Sequence, residues 1–366
     1  MKKEFLSFLA CLLLGVGYIL SIMACSCLSN RTDKLFHTIN VPLSSEDTLR
    51  VSSFIDTFDI VRLETNDSFL LSQVAKVKVV KDRIYVLDIV GNALYVFHLD
   101  GSFVGKVSQV GGGPGEYVQL MDFDVSDTSV YLLDFARQNI LEFNKEFTYR
   151  RSIQYKHIAS QFVATDSGFC LYNEPSGKEG EHLFTVMDKK GDVLSEMLPR
   201  KLAAPTYNYG GIPAFAKHEG VVYYSPIYGN SIYSDSTLVW QIQFGAKSLP
   251  EEEDIGNYDI SASDFPYLLK NNFWVTTEYV IFDYLVHGNR AYGIYDRSDW
   301  SVCCGNVQND VIPDFRFFPR WHSDGYLIDA VDADIVYEYF DFLLEKEEVA
   351  GLTIEDNPLL VLYKLK

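Results

Sequence analysis

The stretch RIYVLDIVGNALYVFHLDGSFVGKVSQVGGGPGEYVQLMDFDVSDTSVYLLD, residues 83–134, carries the same strand pattern twice. The pattern appears first at residues 84–88 as IYVLD and returns at residues 130–134 as VYLLD. Between the copies lie a second strand-like run at residues 94–97, an Asp-Gly turn and a glycine-rich segment. Short β-branched and aromatic runs separated by such turns are typical of antiparallel hairpins. The stretch therefore contains one repeat of a small sheet and the start of the next.

The repeat strand occurs six times in the chain. Its copies lie at residues 84–88, 130–134, 168–172, 221–224, 279–283 and 325–329, and most are followed by a second strand and a turn. Repeats of about 40–50 residues with several short strands each are typical of a β-propeller, in which radial repetition leaves only short sheet edges. The sequence therefore predicts an all-β protein, with a six-bladed β-propeller at residues 50–366 and short helical insertions.

The predicted insertions interrupt the strand pattern with apolar residues at steps of three and four. They are SASDFPYLLKNNFW at residues 261–274 and ADIVYEYFDFLLEKEEV at residues 333–349. Such spacing predicts amphipathic helices, and Gly351 follows the second segment as a stop signal. We expect both helices to lie in loops on one rim of the ring, where binding residues concentrate.

Both ends of the propeller region predict strands. FDIVRL occupies residues 58–63, and LLVLYKLK follows Asn357 and Pro358 at residues 359–366. An exposed edge strand favours aggregation, and pairing the two ends of the chain removes such an edge. We therefore expect residues 58–63 to lie beside residues 359–365 in the last blade and to close the ring.

The N-terminus has the features of a bacterial targeting segment. Lys2 and Lys3 precede a run without charged residues at residues 5–24, long enough to cross a bilayer core of about 30 Å. The run ends in IMAC at residues 22–25, which resembles the lipobox of bacterial lipoproteins. This resemblance implies that Cys25 is acylated, that residues 1–24 are a signal peptide, and that residues 25–49 tether the propeller to a membrane. A plain membrane anchor is the alternative.

The chain is strongly acidic. Its formal charge is −19, and without residues 1–24 the remaining 29 basic and 49 acidic residues give −20. Such a charge opposes binding to nucleic acid and to anionic lipid headgroups, whereas cations, positively charged ligands and neutral sugars are easier to accommodate. General solubility explains the charge equally well.

The glycine-rich segment admits two interpretations, and its candidate residues are Gly111, Gly112, Gly113, Gly115 and Glu116. Backbone N–H groups without side chains can form an anion-binding nest. A phosphate loop, however, requires Gly-Lys and then Ser or Thr at the start of a helix, and here Glu-Tyr precedes the strand-like DFDV. The alternative is a tight crossover between blades that needs positive φ at several glycines. On that interpretation, Gly112→Val would reduce solubility.

No cofactor site follows from the spacing of potential ligands. The pairs Asp122/Asp124 and Asp332/Asp334 could supply oxygen ligands to Ca²⁺, but neither belongs to a DxDxDG loop. In segments with a period of two, such pairs also mark a solvated strand face. The histidines are scattered, and the sequence has no HExxH motif or nucleophile elbow. A bound calcium ion and a metal-dependent enzyme are thus alternatives without an assigned site.

Aromatic and basic residues cluster once, at residues 315–322, as FRFFPRWH. The candidate binding residues in this run are Arg316, Arg320, Trp321 and His322. Aromatic rings stack on sugars, and arginines are concentrated here in a chain that is acidic overall. The alternative is a strand between blades with its aromatic side chains in the core. A binding role predicts that Trp321→Ala abolishes binding and leaves the melting temperature nearly unchanged.

Several motifs together carry a family resemblance. They are the lipobox, FDIVRLET, DRIYVLD, DGSFVGKV, VGGGPGEY followed by DFDV, and the terminal NPLLVLYKL. The combination resembles the six-bladed β-propeller lipoproteins of Bacteroides and relatives and, more loosely, the NHL-type repeat. The resemblance implies the fold and a location in the cell envelope, on the outer membrane or facing the periplasm.

We therefore expect a lipid-anchored envelope propeller that acts as a ligand-binding or protein-interaction module. A glycan, a peptide or another envelope protein is the expected partner. A metal-dependent propeller hydrolase or lyase is the alternative, because such enzymes mount metal ligands from several blades and leave no contiguous motif.

Overall fold

Strand pairing follows six repeats of an antiparallel meander. The computed structural model describes residues 36–43, 48–174, 181–200, 211–227, 229–250, 258–259, 262, 264–286, 289–323 and 325–366. The chain divides into two units, residues 1–37 and 38–366, and the description below concerns the second. Its strands form six sheets of four or five strands, the blades of a β-propeller, which confirms the predicted fold. The predicted signal peptide, residues 1–24, and the predicted lipidation site Cys25 lie outside the described residues.

Three strands precede the first blade: β1 (His37–Asn40), β2 (Thr48–Arg50) and β3 (Ile55–Arg62). Blade 1 contains β4 (Val74–Val80), β5 (Arg83–Asp88), β6 (Ala93–His98) and β7 (Phe103–Val107). Blade 2 contains β8 (Leu120–Val125), β9 (Val130–Asp134), β10 (Asn139–Phe143) and β11 (Tyr149–Gln154). Blade 3 contains β12 (Ala159–Ala164), β13 (Gly168–Asn173), β14 (His182–Asp188) and β15 (Val193–Pro199).

Blade 4 contains β16 (Phe215–His218), β17 (Val221–Tyr224), β18 (Ser231–Ser234) and β19 (Thr237–Gln243). Blade 5 contains β20 (Lys270–Val275), β21 (Tyr279–Val286), β22 (Asn289–Asp296) and β23 (Val302–Gln308). Blade 6 contains β24 (Trp321–Ser323), β25 (Tyr326–Val331) and β26 (Leu359–Leu365), completed by β3. The six predicted repeat strands correspond to the second strands of the blades, β5, β9, β13, β17, β21 and β25.

The two ends of the propeller close the ring as predicted. β26 pairs antiparallel with β3, from Leu359 opposite Arg62 to Leu365 opposite Ile55. A strand that precedes the first blade in sequence thus becomes the outer strand of the last blade. This pairing protects an edge of β26 that would otherwise be free to pair with another chain.

The segment before β3 adds two further edge strands. β1 lies beside β19 in blade 4, and β2 pairs in parallel with β23 in blade 5. Ile39 and Leu49 in these strands are buried. The predicted tether, residues 25–49, therefore includes β1 and the first two residues of β2.

Apolar side chains fill the interfaces between successive blades. Six clusters of buried residues occur in the described part of the chain, one for each neighbouring pair of blades. In β4, Val77 and Val79 point into the cluster between blades 6 and 1, while Lys76 and Lys78 alternate with them. This alternation, which has the period of a strand, fixes the register of the innermost strands.

The second predicted insertion is helical and the first is not. Residues 333–349 form α1 (Ala333–Tyr339), α2 (Asp341–Leu344) and a 3₁₀ turn (Glu347–Val349), and Gly351 follows with φ of 72°. In the described part of residues 261–274, by contrast, there is no helix, and β20 begins at Lys270. The sequence PYLLKNNFWV contains a proline and two asparagines, which disfavour a helix, and then aromatic and β-branched residues that favour a strand.

Connections alternate between the two ends of the ring. The links between second and third strands lie at the same end as the crossovers from each fourth strand to the next blade, and we call this end the crossover face. The helices α1 and α2 link β25 to β26 and therefore lie on this face. The glycine-rich segment and residues 309–320 are crossovers on the same face. Across the described residues, no helix has the length and apolar character that a membrane span requires.

Asparagine side chains hold several crossovers in place through hydrogen bonds to the backbone. Asn92, just before β6, accepts a hydrogen bond from the N–H of Leu120 (2.8 Å) and donates to the carbonyl of Val118 (3.0 Å). Asn230 and Asn357 hold the crossovers into blades 5 and 1 in the same way. A single side chain in one blade thereby positions the first strand of the next.

Candidate functional site

The aspartate at the end of the second strand caps the crossover in blades 1 and 2. Asp88 accepts hydrogen bonds from the backbone N–H groups of Ser72 (2.8 Å) and Gln73 (3.0 Å). Asp134 does the same for residues 118 and 119, at 3.0 and 3.1 Å. In these blades the repeated aspartate has a structural role.

In blades 5 and 6 the aspartate at the same repeat position faces an arginine. Asp283 accepts a hydrogen bond from the side chain of Asn272 (2.6 Å) and lies 3.6 Å from Nη1 of Arg290. Asp329 accepts one from the N–H of the next residue and lies 3.9 Å from Nε of Arg320. Both carboxyl groups are buried. The junction of blades 5 and 6 therefore departs from the capping pattern of blades 1 and 2.

Three arginines gather at this junction beside two aromatic rings. The Cζ atoms of Arg290 and Arg316 lie 3.5 and 4.5 Å from the centre of the Phe318 ring. Arg320 stacks over Trp321 at 4.2 Å and donates to the carbonyl of residue 330 at 3.0 Å. We call Arg290, Arg316 and Arg320 the arginine cluster. It lies on the crossover face, because it is carried by the start of β22 and by the crossover between blades 5 and 6.

The crossover is extended, and its side chains alternate between core and surface. Phe315, Phe317 and Trp321 are buried, whereas Arg316 is exposed and Arg320 is half-buried. Trp321 lies in the core between blades 6 and 1, and its ring N–H donates to the carbonyl of Ala75 at 3.2 Å. The core alternative for the aromatic side chains thus describes Trp321, and the two candidate arginines remain at the surface.

His322, the fourth candidate, has the electrostatic environment of a buried strand residue. It belongs to β24, and burial lowers the pKa of its imidazole to about 4, so that the ring is neutral at physiological pH. Among the described residues, its Nε2 atom has no hydrogen-bond partner. His322 therefore adds no charge to the arginine cluster.

The guanidinium group of Arg290 has two buried donors without an acceptor among the described residues. No described residue accepts a hydrogen bond from Nε or Nη1 of Arg290, and Oδ1 of Asp283 likewise receives none from them. The side chain of Arg290 is 15% exposed and that of Arg320 is 37% exposed. Arg316 and Arg320 thus present cations toward solvent, whereas Nε and Nη1 of Arg290 are buried beside the carboxyl group of Asp283.

Burial favours the uncharged form of the two carboxyl groups, those of Asp283 and Asp329. Desolvation raises the pKa of the Asp329 carboxyl to about 7, although Arg320 opposes the shift, and it also raises the pKa of Asp283. Burial lowers the pKa of the nearby Lys270 amine to about 7. Because Asp329 and Asp283 hold their protons more tightly than free carboxyl groups do, they compensate the arginine charges only in part.

A shallow pocket adjoins the arginine cluster. It has a volume of about 530 Å³ and shares Arg316 with the cluster. Gln308, Asp310 and Asp314 also line it, so that it offers amide and carboxylate oxygens beside a guanidinium. The carboxylate of Asp310 is already held by the N–H and hydroxyl of Ser52.

The glycine-rich segment forms a crossover that is filled by its own side chain. Oε2 of Glu116 accepts a hydrogen bond from the N–H of Gly113 at 2.6 Å, and Arg137 donates to the carbonyls of Gly111 and Gly112. Only Gly115 among these glycines has positive φ, at 79°, so the expectation of several such positions was wrong. The carboxylate of Glu116 takes a donor that an anion in a nest would use.

The acidic pair of β8 is buried rather than solvated, which corrects the prediction of a solvated strand face. Asp122 and Asp124 are 4% and 1% exposed. Asp122 pairs with Lys76 at 2.7 Å, and Asp124 pairs with Lys78. The second oxygen of each accepts a backbone N–H from β12. The innermost strands of blades 1 to 3 are therefore joined by ion pairs and hydrogen bonds.

Asp332 and Asp334 of the other pair are exposed at the start of α1. Within the described ranges, no three His, Cys, Asp or Glu side chains are grouped so that they could hold a metal ion.

The sequence pointed to Arg316 and Arg320 but not to Arg290 or Asp283. Arg290 is isolated in the sequence, within NRAYGIYD of β22. The repeats contained a signal for Asp283, because an aspartate ends the repeat pattern in four of the six blades. In blades 1 and 2 this aspartate caps a crossover. Which aspartates cap and which face an arginine depends on the geometry of the crossover and is visible only in the structure.

Comparison with known proteins supports the fold. The structure is similar to that of a Bacteroides fragilis protein assigned as exported, with 18% sequence identity, a TM-score of 0.72, and coverage of 90% of this chain and 100% of that one. It is also similar to a member of the DUF4221 family from Bacteroides vulgatus, with 9% identity, a TM-score of 0.54, and coverage of 85% and 97%. No curated protein matches the sequence. The family described as domain of unknown function DUF4934 matches residues 36–364, nearly the whole described chain, and the protein therefore belongs to this family.

Proposed function

We propose that the protein is a lipid-anchored β-propeller of the cell envelope that binds a ligand through the arginine cluster on its crossover face. The observation that carries the proposal is the cluster itself: three guanidinium groups lie beside Phe318 and Trp321, and those of Arg316 and Arg320 reach solvent. In a chain with a net charge of −19, such a concentration of cations stands apart from the overall acidic balance.

The fold and the N-terminal sequence support a role in the envelope. A rigid propeller presents its crossover loops at one end, where loop residues of a rigid scaffold commonly bind ligands. The leader and lipobox motif, with Cys25 as acceptor, would place this face outside the cytoplasm. The similarity to a Bacteroides protein assigned as exported agrees with that location.

Loss of the exposed arginines tests the binding role. The double variant Arg316→Gln/Arg320→Gln should lose components that the wild type binds from a glycan array and from a detergent extract of the bacterial envelope. Lys189→Gln/Lys190→Gln is the matched control, since it removes the same charge from exposed residues on the turn between β14 and β15, at the opposite end of the ring. If both variants retain every component, the proposed binding surface is incorrect.

Acylation tests the anchor separately. Growth with a radiolabelled or alkyne-bearing fatty acid should label the wild type, and Cys25→Ser should abolish the label. The same variant should leave the membrane fraction or remain as an unprocessed precursor. A Cys25→Ser protein that is still labelled would contradict the lipoprotein assignment without affecting the binding surface.

A further inference from the structure

The chemistry of the arginine cluster and its adjoining pocket identifies a class of ligand. We propose, on the basis of the function proposed above, that the site binds a sugar acid, whose carboxylate contacts Arg316 and Arg320 and whose hydroxyl groups enter the pocket lined by Gln308 and Asp314. The geometry, the charges and the residue types of the pocket each support one part of this proposal.

Arginine geometry favours a planar oxyanion. A guanidinium group presents parallel N–H donors that match the two oxygens of a carboxylate, and such charge-assisted pairs are stronger than neutral hydrogen bonds. The contacts of Arg290 and Arg316 with Phe318 hold the guanidinium groups in place, and Arg316 is exposed. The side chain of Arg320 is 37% exposed, and its contact with Trp321 and its hydrogen bond to the carbonyl of residue 330 hold it in place. Donors are therefore positioned before any ligand arrives.

The local charge favours an anionic group that carries one negative charge. Arg290 and Arg320 lie beside the buried carboxyl groups of Asp283 and Asp329, and the pocket adds Asp310 and Asp314. A phosphate monoester would bring about two negative charges to this face at neutral pH, whereas a carboxylate brings one. An anionic group with a single, delocalised charge therefore meets less repulsion at this face than a phosphate group does.

The pocket suits hydroxyl groups rather than an apolar body. Gln308 and Asp314 are exposed, and neither makes a side-chain hydrogen bond to another described residue. Amide and carboxylate groups are the side chains that donate to and accept from hydroxyls. Because Arg316 belongs both to the pocket and to the cluster, a sugar ring in the pocket can place its carboxylate at the guanidinium group.

Isothermal titration calorimetry with a panel of uronic acid oligosaccharides tests the proposal. The panel contains tetramers of galacturonate, glucuronate, mannuronate and guluronate. Their methyl esters, which keep the hydroxyls and remove the charge, and a neutral glucose tetramer are the matched ligands. Tetraglutamate and inorganic phosphate represent other sources of an oxyanion. The full mature chain is used, with Lys189→Gln/Lys190→Gln as the protein control.

The expected result is saturable binding of at least one uronate. Binding should weaken by about 10- to 100-fold in Arg316→Gln and in Arg320→Gln, and by a similar factor for the methyl ester, because each change removes a charge-assisted hydrogen bond. Arg316→Lys should recover part of the affinity, since it keeps the charge and loses the planar fork. Unchanged melting temperatures would show that the variants are folded.

Other outcomes overturn the inference. Equal affinity for tetraglutamate would overturn the sugar class, and tighter binding of inorganic phosphate would overturn the carboxylate. If no uronate binds while a neutral glycan or an envelope protein does so in a manner that requires Arg316 and Arg320, the proposed function stands and this inference fails. If nothing binds in an arginine-dependent manner, both fail.

Discussion

At the scale of single residues, one aspartate position serves two purposes around the ring. In blades 1 and 2 it receives backbone N–H groups from residues 15 and 16 positions earlier, as Asp88 does from Gln73 and Ser72. In blade 6 the guanidinium of Arg320, nine positions before Asp329, lies at the carboxyl group instead. In blade 6 an arginine side chain thus takes the place that backbone N–H groups occupy at this aspartate in blades 1 and 2. The candidate site arises in this way although the strand keeps its repeat sequence.

The glycine-rich crossover gives a residue-scale prediction about stability. A Cβ atom on Gly115 would lie 2.9 Å from Cβ of Tyr149, and the residue has φ of 79°. Gly115→Ala should therefore lower the free energy of unfolding by about 1–3 kcal/mol. A Cβ atom on Gly112 would meet no other atom within 4 Å, and this residue needs no positive φ, so Gly112→Ala should change stability by less than about 0.5 kcal/mol.

Chemical denaturation of the two glycine variants measures this difference. Equal destabilisation by both substitutions would show that the crossover is restricted at Gly112 as well. The comparison also revises the expectation that Gly112→Val reduces solubility, since the structure places open space beside Gly112.

Lys270 predicts a stability change with pH. Its side chain is fully buried, its Nζ lies 3.3 Å from the carbonyl of Asn271, and burial lowers its pKa to about 7. Between pH 7 and the ordinary pKa of lysine, the unfolded chain holds a proton that the folded chain has released, so Lys270 costs stability at low pH and the cost falls as pH rises. Asp283, the carboxyl group that favours the charged amine, only partly offsets the cost.

Unfolding of Lys270→Met and wild type at several pH values measures the effect. The variant should be more stable than the wild type at pH 6, and its advantage should shrink by about 1.4 kcal/mol per pH unit above pH 7. Lys189→Met, at an exposed position, should show a constant difference from the wild type. A pH-independent advantage of Lys270→Met would mean that the buried amine stays charged.

At the scale of elements, the sequence predicted strands wherever their pattern was repeated. The second strands share the motif IYVLD and its variants, and the pairing of β3 with β26 follows from two β-rich segments at the ends of the propeller. The helices after Ala333 were predictable because residues 333–349 contain helix formers and no Gly or Pro. β20 was mistaken for a helix because its apolar residues also fit steps of three and four, and only its pairing with β21 decides between the two.

Only the part of the candidate site that lies in one short run of sequence could be predicted. Arg316 and Arg320 each stand next to a buried aromatic residue in one short run, so composition identified them. Arg290 and Asp283 come from a different hairpin, β21 and β22, and meet the run only when blade 5 packs against blade 6. Contacts between blades depend on the tilt of whole sheets, which a single sequence does not encode in any local pattern.

Asn357 gives the prediction at the scale of elements, since it links blade 6 to the crossover into blade 1. Its side chain is fully buried, accepts from the N–H of Leu71 at 2.7 Å and donates to the carbonyls of Glu64 and Phe69 at 2.8 and 3.1 Å. Asn357→Ala leaves these three backbone groups without a partner and should lower the free energy of unfolding by about 2–4 kcal/mol.

Urea denaturation of Asn357→Ala measures this loss, with Asn306→Ala as the control. Asn306 is exposed in β23, and its substitution should stay within about 0.5 kcal/mol of the wild type. Asn357→Asp should not rescue stability, because it keeps one acceptor but loses both donors and buries a charge. Equal stability of the Asn357 and Asn306 variants would show that the crossover is held by other contacts.

At the scale of the whole molecule, ring closure distinguishes the two ends of the chain. β1 and β2 add to blades that already have four strands, whereas β3 and β26 are both required to complete blade 6. Leu360 and Leu362 of β26 lie in the core between blades 6 and 1, and Leu359 and Val361 lie in the core between blades 5 and 6. One strand thus supports two of the six interfaces.

Deletion of residues 359–366 should therefore abolish folding. It removes the apolar side chains that β26 contributes to both clusters, and it leaves β3 and β25 with unpaired edges, which promote aggregation. Deletion of the N-terminal residues up to 50 removes β1 and β2 and should instead give a soluble protein of lower stability, because the four-stranded blades remain. Size-exclusion chromatography measures the aggregation of the two truncated proteins, and circular dichroism measures their β-structure. A monomeric, β-rich protein that lacks residues 359–366 would contradict closure through β26, and aggregation of both proteins would show that the edge strands β1 and β2 are as necessary as the closing pair.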